Sequence, residues 1–433
     1  MKFYRLLLAT ILLNFILSCT TMKNTTPTAE VKNEALAEPK TDSLLQNLLA
    51  KYPQYFDTVL KNNGQWQVQI IYTQIDRTAA NEPVLRHLYY NVNPDQYFYP
   101  ASTVKMPAAF LALEKLNTLN LPGLHRNTTM ITGAEGAGQT AVYNDPTKED
   151  GRPTIAHYIK KIFLVSDNDA YNRLYEFLGQ EHLNQRLHAM GYDSVQLLHR
   201  LQISLNEAQN RTTNPVRFFD TSGKLVYEQP QLKSNLSYQS RQTFLGKGYM
   251  SAGKLVNQPF DFSQKNRFSL PDLHSVLQAV IFPESVPAKQ RFNLTNDDYR
   301  FLYTCMSMLP REAAFPQYGA GYPDGYVKFL IYGGDGPVTN PALRIFNKVG
   351  DAYGFLQDVA YIADFEKGIE FMLSVSINCN SNGIYNDNKY DYDTVGFPFL
   401  KHLGEVLYTY ELQRTRPNKP DLSRFKADYN NPD

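Results

Sequence analysis

Apolar positions along this chain fall into two rhythms, and together they mark out its elements. From Ser43 to Leu60 they return every three or four residues (Leu44, Leu45, Leu48, Leu49, Tyr52), which predicts a helix. Trp66 to Thr73 instead alternates as a strand does, and Leu88 to Val92 reads as its hairpin partner. After Tyr99-Pro100 the chain turns Ala-rich and apolar, so a helix is expected to open at Ser102. Thr154 is placed to cap a helix running from Ala156 to Val165. Further helices are expected over Asp272 to Val280 and Asn296 to Met308. A strand from Ile369 to Ile377 follows a turn at Glu366-Lys367-Gly368.

The first residues do not share these rhythms. Lys2 and Arg5 precede an apolar run from Leu6 to Leu17, then Ser18-Cys19, which describes a secretory signal over residues 1–18, too short to span a bilayer. The Ile16-Leu17-Ser18-Cys19 ending resembles a bacterial lipoprotein lipobox. That implies cleavage before Cys19, lipid on its sulfur, and an exported protein anchored at one end in the periplasm or another extracytoplasmic space. Residues 19–42 are polar and Pro-containing and read as a flexible tether. A folded body is expected over residues 43–415, followed by a C-terminal tail over 416–433.

Composition narrows the classes of function. With 43% hydrophobic residues and a net charge of +1, the body can bury a large core and offers no basic surface for nucleic acid. Besides Cys19 only Cys305 and Cys379 remain, and their spacing does not decide whether they pair. The eight histidines lack metal-ligand spacing, so no metal is expected.

The candidate chemistry lies in three polar groups, each at the edge of an element. In Ser102-Thr-Val-Lys105 the hydroxyl and the amine fall one helical turn apart. A serine is a poor nucleophile unless a neighbouring base takes its proton, and a lysine serves if desolvation lowers its pKa. A helix N-terminus adds free N–H groups where an oxyanion forms. Ser251-Ala-Gly-Lys254 repeats the spacing, but it lies in a Gly-rich run that reads as a loop. Ser166-Asp167-Asn168 follows the helix capped by Thr154, and Lys348-Val349-Gly350 comes late.

These three groups resemble the signature of the class A β-lactamase-like family of penicillin-recognising serine hydrolases: S-x-x-K, then S-D-N, then K-T-G. The resemblance covers roughly residues 43–415. It implies a mixed α/β fold in which a five-stranded antiparallel sheet, built from both chain ends, packs on a helical lobe formed by the middle. It also implies that Ser102 forms an acyl-enzyme while Lys105 removes its proton. Ser166 relays a proton to the leaving nitrogen, with Lys348 lowering that hydroxyl's pKa. Asn168 donates to a substrate amide, and the backbone N–H groups of Ser102 and Asp351 form the oxyanion hole beside Gly350. Asp167 is expected to be structural. No cofactor is implied. The expected partner is a β-lactam or a peptidoglycan-like amide, met by a monomer.

Two departures stand out. The loop Arg200-Leu-Gln202-Ile-Ser-Leu-Asn206 carries Gln202 where the family has the glutamate that activates the deacylating water, and an amide cannot accept that proton. Glu207 is the nearby carboxylate that could substitute. Val349 replaces a hydroxyl residue that binds a β-lactam carboxylate, with Asp351 beside it. The expected function is therefore a serine hydrolase of β-lactams or related amides. The alternative is a penicillin-binding, peptidase-like or sensory protein that acylates and deacylates slowly. An apparent insertion at 216–268 reads as hairpins and loops that either shape the substrate groove or elaborate the surface. Tyr99 and Tyr353 are aromatic candidates for either the cleft lining or the core.

Overall fold

A computed structural model describes residues 38–136 and 138–429. The expected signal peptide, Cys19 and most of the tether lie outside the described residues. Helices α1 (Ser43–Ala50) and α2 (Pro53–Leu60) replace the single helix expected there. Pro53 forces Tyr52 out of helical geometry (φ −125°, ψ 58°) and then serves as the first residue of α2. Strands β1 (Gln69–Arg77) and β2 (Pro83–Tyr90) follow as an antiparallel hairpin. β1 starts later than expected, because Trp66 belongs to a short helical turn instead. The helical lobe contributes α3 (Lys105–Leu119), α4 (Ile155–Val165), α5 (Asn168–Leu178), α6 (Leu270–Ile281) and α7 (Asn296–Ser307). Strands β3 (Leu343–Ala352), β4 (Phe355–Asp364) and β5 (Ile369–Asn378) and the long helix α8 (Phe397–Gln413) complete the body.

The five strands form one antiparallel sheet in the order β3-β4-β5-β1-β2. Strand alternation divides its side chains between two cores. Ile71, Ile75, Phe346, Tyr361 and Met372 face the helical lobe, while Ile70, Tyr72, Ile345, Val349 and Leu373 face α1, α2 and α8. Both faces are buried, so the central strands read as nearly continuous apolar runs. β3 lies at the edge of the sheet, next to the helical lobe, and this position brings it to the site.

Residues 216–268 form short hairpins, as expected. Val216–Phe219 pairs with Thr129–Thr132 and Leu225–Gln229, and Gly248–Ser251 pairs with Lys254–Val256. Ser251 and Lys254 are thus cross-strand partners at a hairpin end. Both cysteines are buried, in separate cores. The residues after 415 extend the body: Asn418 donates to the carbonyl of Arg77, and Phe425 is fully buried against Phe346 and Tyr361. At the other end, Lys40 pairs with Val92, so the last tether residues join the edge of the hairpin.

Candidate active site

Ser102 does not open a regular α-helix. Ala101 to Val104 form a 3₁₀ turn that runs into α3, with Ala101 in the left-handed region (φ 46°). Thr103 fastens this turn by donating its N–H and its hydroxyl to the carbonyl of Pro100, at 3.0 and 2.6 Å. Gly350 of β3 is pressed against it. A β-carbon there would stand 2.9 Å from the Pro100 carbonyl oxygen and 3.0 Å from the Ser102 nitrogen, so glycine is required by close approach. The strand thereby sets the nucleophile's backbone.

Lys105, at the first position of α3, has no exposed surface. Its Nζ lies 2.8 Å from Ser102 Oγ, 2.6 Å from Asn168 Oδ1 and 3.3 Å from Ser166 Oγ, and it also donates to the Ser166 carbonyl. Burial, helped by the nearby cation Lys348, holds its pKa well below the usual lysine range. The shift favours the neutral amine that could take the serine's proton.

A helix break presents the second group. Ser166 ends α4 in the left-handed conformation (φ 59°), and Asp167 caps α5 by accepting from the Ala170 N–H at 2.7 Å. This brings the Ser166 hydroxyl and the Asn168 amide within reach of the Lys105 amine, while Asp167, which also borders the cleft, holds the start of α5. Lys348 reaches the same Ser166 hydroxyl from β3, Nζ to Oγ 2.8 Å. Burial brings Lys348 down to about 7, opposed by Asp351 and Asp358. Asp351 opens onto the cleft, and the surrounding protein raises its pKa against the pull of both lysines.

Gln202 stands at the mouth, with positive φ (55°), its Oε1 accepting from Asn168 Nδ2 at 2.7 Å. In this state the Asn168 amide expected to meet substrate is engaged by Gln202. Two other loop residues lie elsewhere. Asn206 spends its side chain capping the short helix Glu207–Arg211, accepting from the Gln209 N–H at 2.9 Å. Glu207 pairs with Arg211 on the surface, its side chain 67% exposed, and does not line the cleft. Tyr99 and Tyr353 do not line it either. They stack with His199, Phe260 and Phe262 in an aromatic core that ties the insertion to the end of β3.

Several supporting residues escaped the sequence reading. Arg200 is buried against Glu176 at 2.8 Å and donates to the carbonyls of Gln209 and Thr212. Asn172 exchanges two hydrogen bonds of 2.9 Å with the backbone of Leu201. The four-residue spacing of Asn168, Asn172 and Glu176 along α5 was the available signal. Behind Lys348, the buried Lys328 donates to Asn347 Oδ1 at 2.6 Å, and Asn347 Nδ2 donates to Asp358 at 2.7 Å. The cleft itself, about 1070 Å³, is lined by Ser102, Ser166, Asn168, Gln202, Val349 and Asp351, together with Tyr322, Tyr326, Gly334, Asp393 and Lys401.

Among solved structures, similar folds include a class A beta-lactamase from Clostridium kluyveri, 16% identical with a TM-score of 0.45, covering 82% of this chain and 98% of that one. A beta-lactamase from Sphaerobacter thermophilus is 14% identical with a TM-score of 0.43, covering 83% and 97%. PBP-A is 14% identical with a TM-score of 0.44, covering 87% and 98%. No curated protein matches by sequence. The model of the beta-lactamase enzyme family matches residues 51–296, more than half of the chain and the part that holds both Ser102-x-x-Lys105 and Ser166-Asp167-Asn168. The chain belongs to the beta-lactamase enzyme family.

Proposed function

We propose that this protein is a serine hydrolase that forms an acyl-enzyme on Ser102 with β-lactams or related amides and esters, and that releases the acyl group slowly. The observation that carries this reading is the buried Lys105 amine 2.8 Å from the Ser102 hydroxyl, its pKa held well below the usual lysine range by burial. Lys105 Nζ takes the proton as Ser102 Oγ attacks the carbonyl carbon. The N–H groups of Ser102 and Asp351 stabilise the oxyanion. Ser166, in contact with both Lys105 and Lys348, passes a proton to the leaving nitrogen or oxygen as the tetrahedral intermediate collapses.

Deacylation lacks a comparable partner. Gln202 can hold a water but cannot accept its proton, and Glu207 is turned away. These two facts favour a persistent acyl-enzyme over rapid antibiotic hydrolysis. From the lipobox-like N-terminal sequence we also propose that this chemistry takes place outside the cytoplasm, on a lipid anchor at Cys19.

The test is intact-protein mass spectrometry of the folded body incubated with a penicillin, with Ser102→Ala as control and free product assayed in parallel. A Ser102-dependent adduct lasting minutes to hours, with little product, is expected. Product in large excess over enzyme would overturn slow release, and no adduct with penicillins, other amides or esters would overturn the nucleophile assignment.

A further inference from the structure

The two lysines that serve Ser102 lie beneath the floor of the cleft, and the surface a substrate meets has a different character. Val349 and Asp351 are alternate residues of the edge strand β3, so both side chains emerge on the same side of it and both line the cavity. Val349 is 1% exposed, so a carboxylate bound there would meet chiefly the carboxylate of Asp351. Asp351 makes no ion pair or side-chain hydrogen bond among the described residues, and neither do Asp335 and Asp393, which join the lining from two other segments. Lys401 lines the cleft as well, and Lys348 and Lys105 pull on the Asp351 charge.

Two tyrosines line the same cleft. Tyr322 and Tyr326 are 39% and 37% exposed and pack edge to face with centroids 4.9 Å apart. Tyr326 is close enough to Asp351 to feel its charge. An exposed carboxylate and accessible tyrosine rings in one cleft make a receptor for a cation, because the ring faces and the carboxylate both attract positive charge.

We propose that Asp351, with Tyr322 and Tyr326, selects substrates that carry an ammonium group beside the scissile amide or ester, and that Val349 and Asp351 together disfavour substrates with a carboxylate there. This rests on the reading of Ser102 as the acylated nucleophile. In the acyl-enzyme the ammonium lies between β3 and the two tyrosines, while the scissile carbonyl sits over Ser102.

Three nitrophenyl esters of equal length, ending in an ammonium, a methyl or a carboxylate group, test this. Single-turnover acylation is followed by nitrophenol release and by mass, at low and high salt. The ammonium ester is expected to acylate Ser102 about tenfold or more faster than the carboxylate ester, with the gap shrinking in salt. Asp351→Asn should collapse that ratio, and Tyr326→Leu should reduce it in a protein whose strand β3 is untouched. Equal rates for the three esters, or a preference for the carboxylate, would overturn the proposal while leaving Ser102 as the nucleophile. If none of the esters labels Ser102, the nucleophile assignment falls and this selectivity falls with it.

Discussion

Asn168 Nδ2 donates to Gln202 Oε1 at 2.7 Å while Asn168 Oδ1 accepts from Lys105 at 2.6 Å, so a single amide links Lys105 to the loop that carries Gln202. A carboxylate at position 202 would accept the same hydrogen bond and could also take a proton from water. Gln202→Glu is therefore expected to shorten the acyl-enzyme's life by about 10²-fold or more, the range of positioned general bases. The decay of the adduct mass after removal of excess β-lactam measures it. Unchanged decay would mean that water does not reach the ester from this side.

Gly350 carries the second prediction. A methyl at this position cannot avoid the Pro100 carbonyl or the Ser102 N–H, because both belong to backbone held by Thr103. Gly350→Ala is expected to destabilise the fold by about 1–3 kcal/mol, as overpacking does. Displacing the oxyanion-hole N–H should also slow acylation by about 10²-fold. Stopped-flow acylation together with thermal melting separates the two effects, and normal acylation in a destabilised protein would show that Ser102 N is not used.

The loop that carries Gln202 is held by a charge pair without contact to solvent. Arg200 and Glu176 are both fully buried, and removing one partner leaves the other charged and desolvated. Arg200→Ala is expected to cost about 3–5 kcal/mol. Arg200→Ala combined with Glu176→Ala should cost less than the sum of the two single changes, since no lone charge remains. Denaturant unfolding of the three variants gives the coupling directly.

Much of this site is legible in the sequence, because its chemistry depends on short local spacings. Ser102 and Lys105 are three residues apart, Ser166 and Asn168 span a helix break, and Lys348 and Gly350 share a strand end. Each group announces its own geometry, and the structure brings the three together within hydrogen-bonding reach. The rest of the cleft lining has no such signature. Tyr322 and Tyr326 come from one loop and Lys401 from α8, and no local spacing announces that the two segments line one cleft. Asn206 shows a different failure: the motif position was right, but the side chain is more strongly claimed by a helix cap than by the cleft. The tail misread has the same origin, since Leu422 and Phe425, set in a polar stretch, give no sustained periodicity to reveal that they fill a core.

The two lysines make the pH dependence of acylation specific. Lys105 must be neutral to take the Ser102 proton, so the rate rises with pH as Lys105 loses its proton, a transition that burial has moved well below the usual lysine range. Lys348 acts in the other direction. Its cation polarises the Ser166 hydroxyl at 2.8 Å, and with a pKa brought down to about 7 it loses that charge as pH rises through neutrality. The falling limb of the acylation rate is therefore expected near pH 7, whereas an ordinary lysine in the Lys348 role would hold its rate to about pH 10. Lys348→Met should lower the maximum and remove the falling limb while keeping the rising one. Acylation of wild type that continues to climb past pH 8 would show that the Lys348 charge takes no part, and would leave Lys105 as the source of the proton delivered through Ser166.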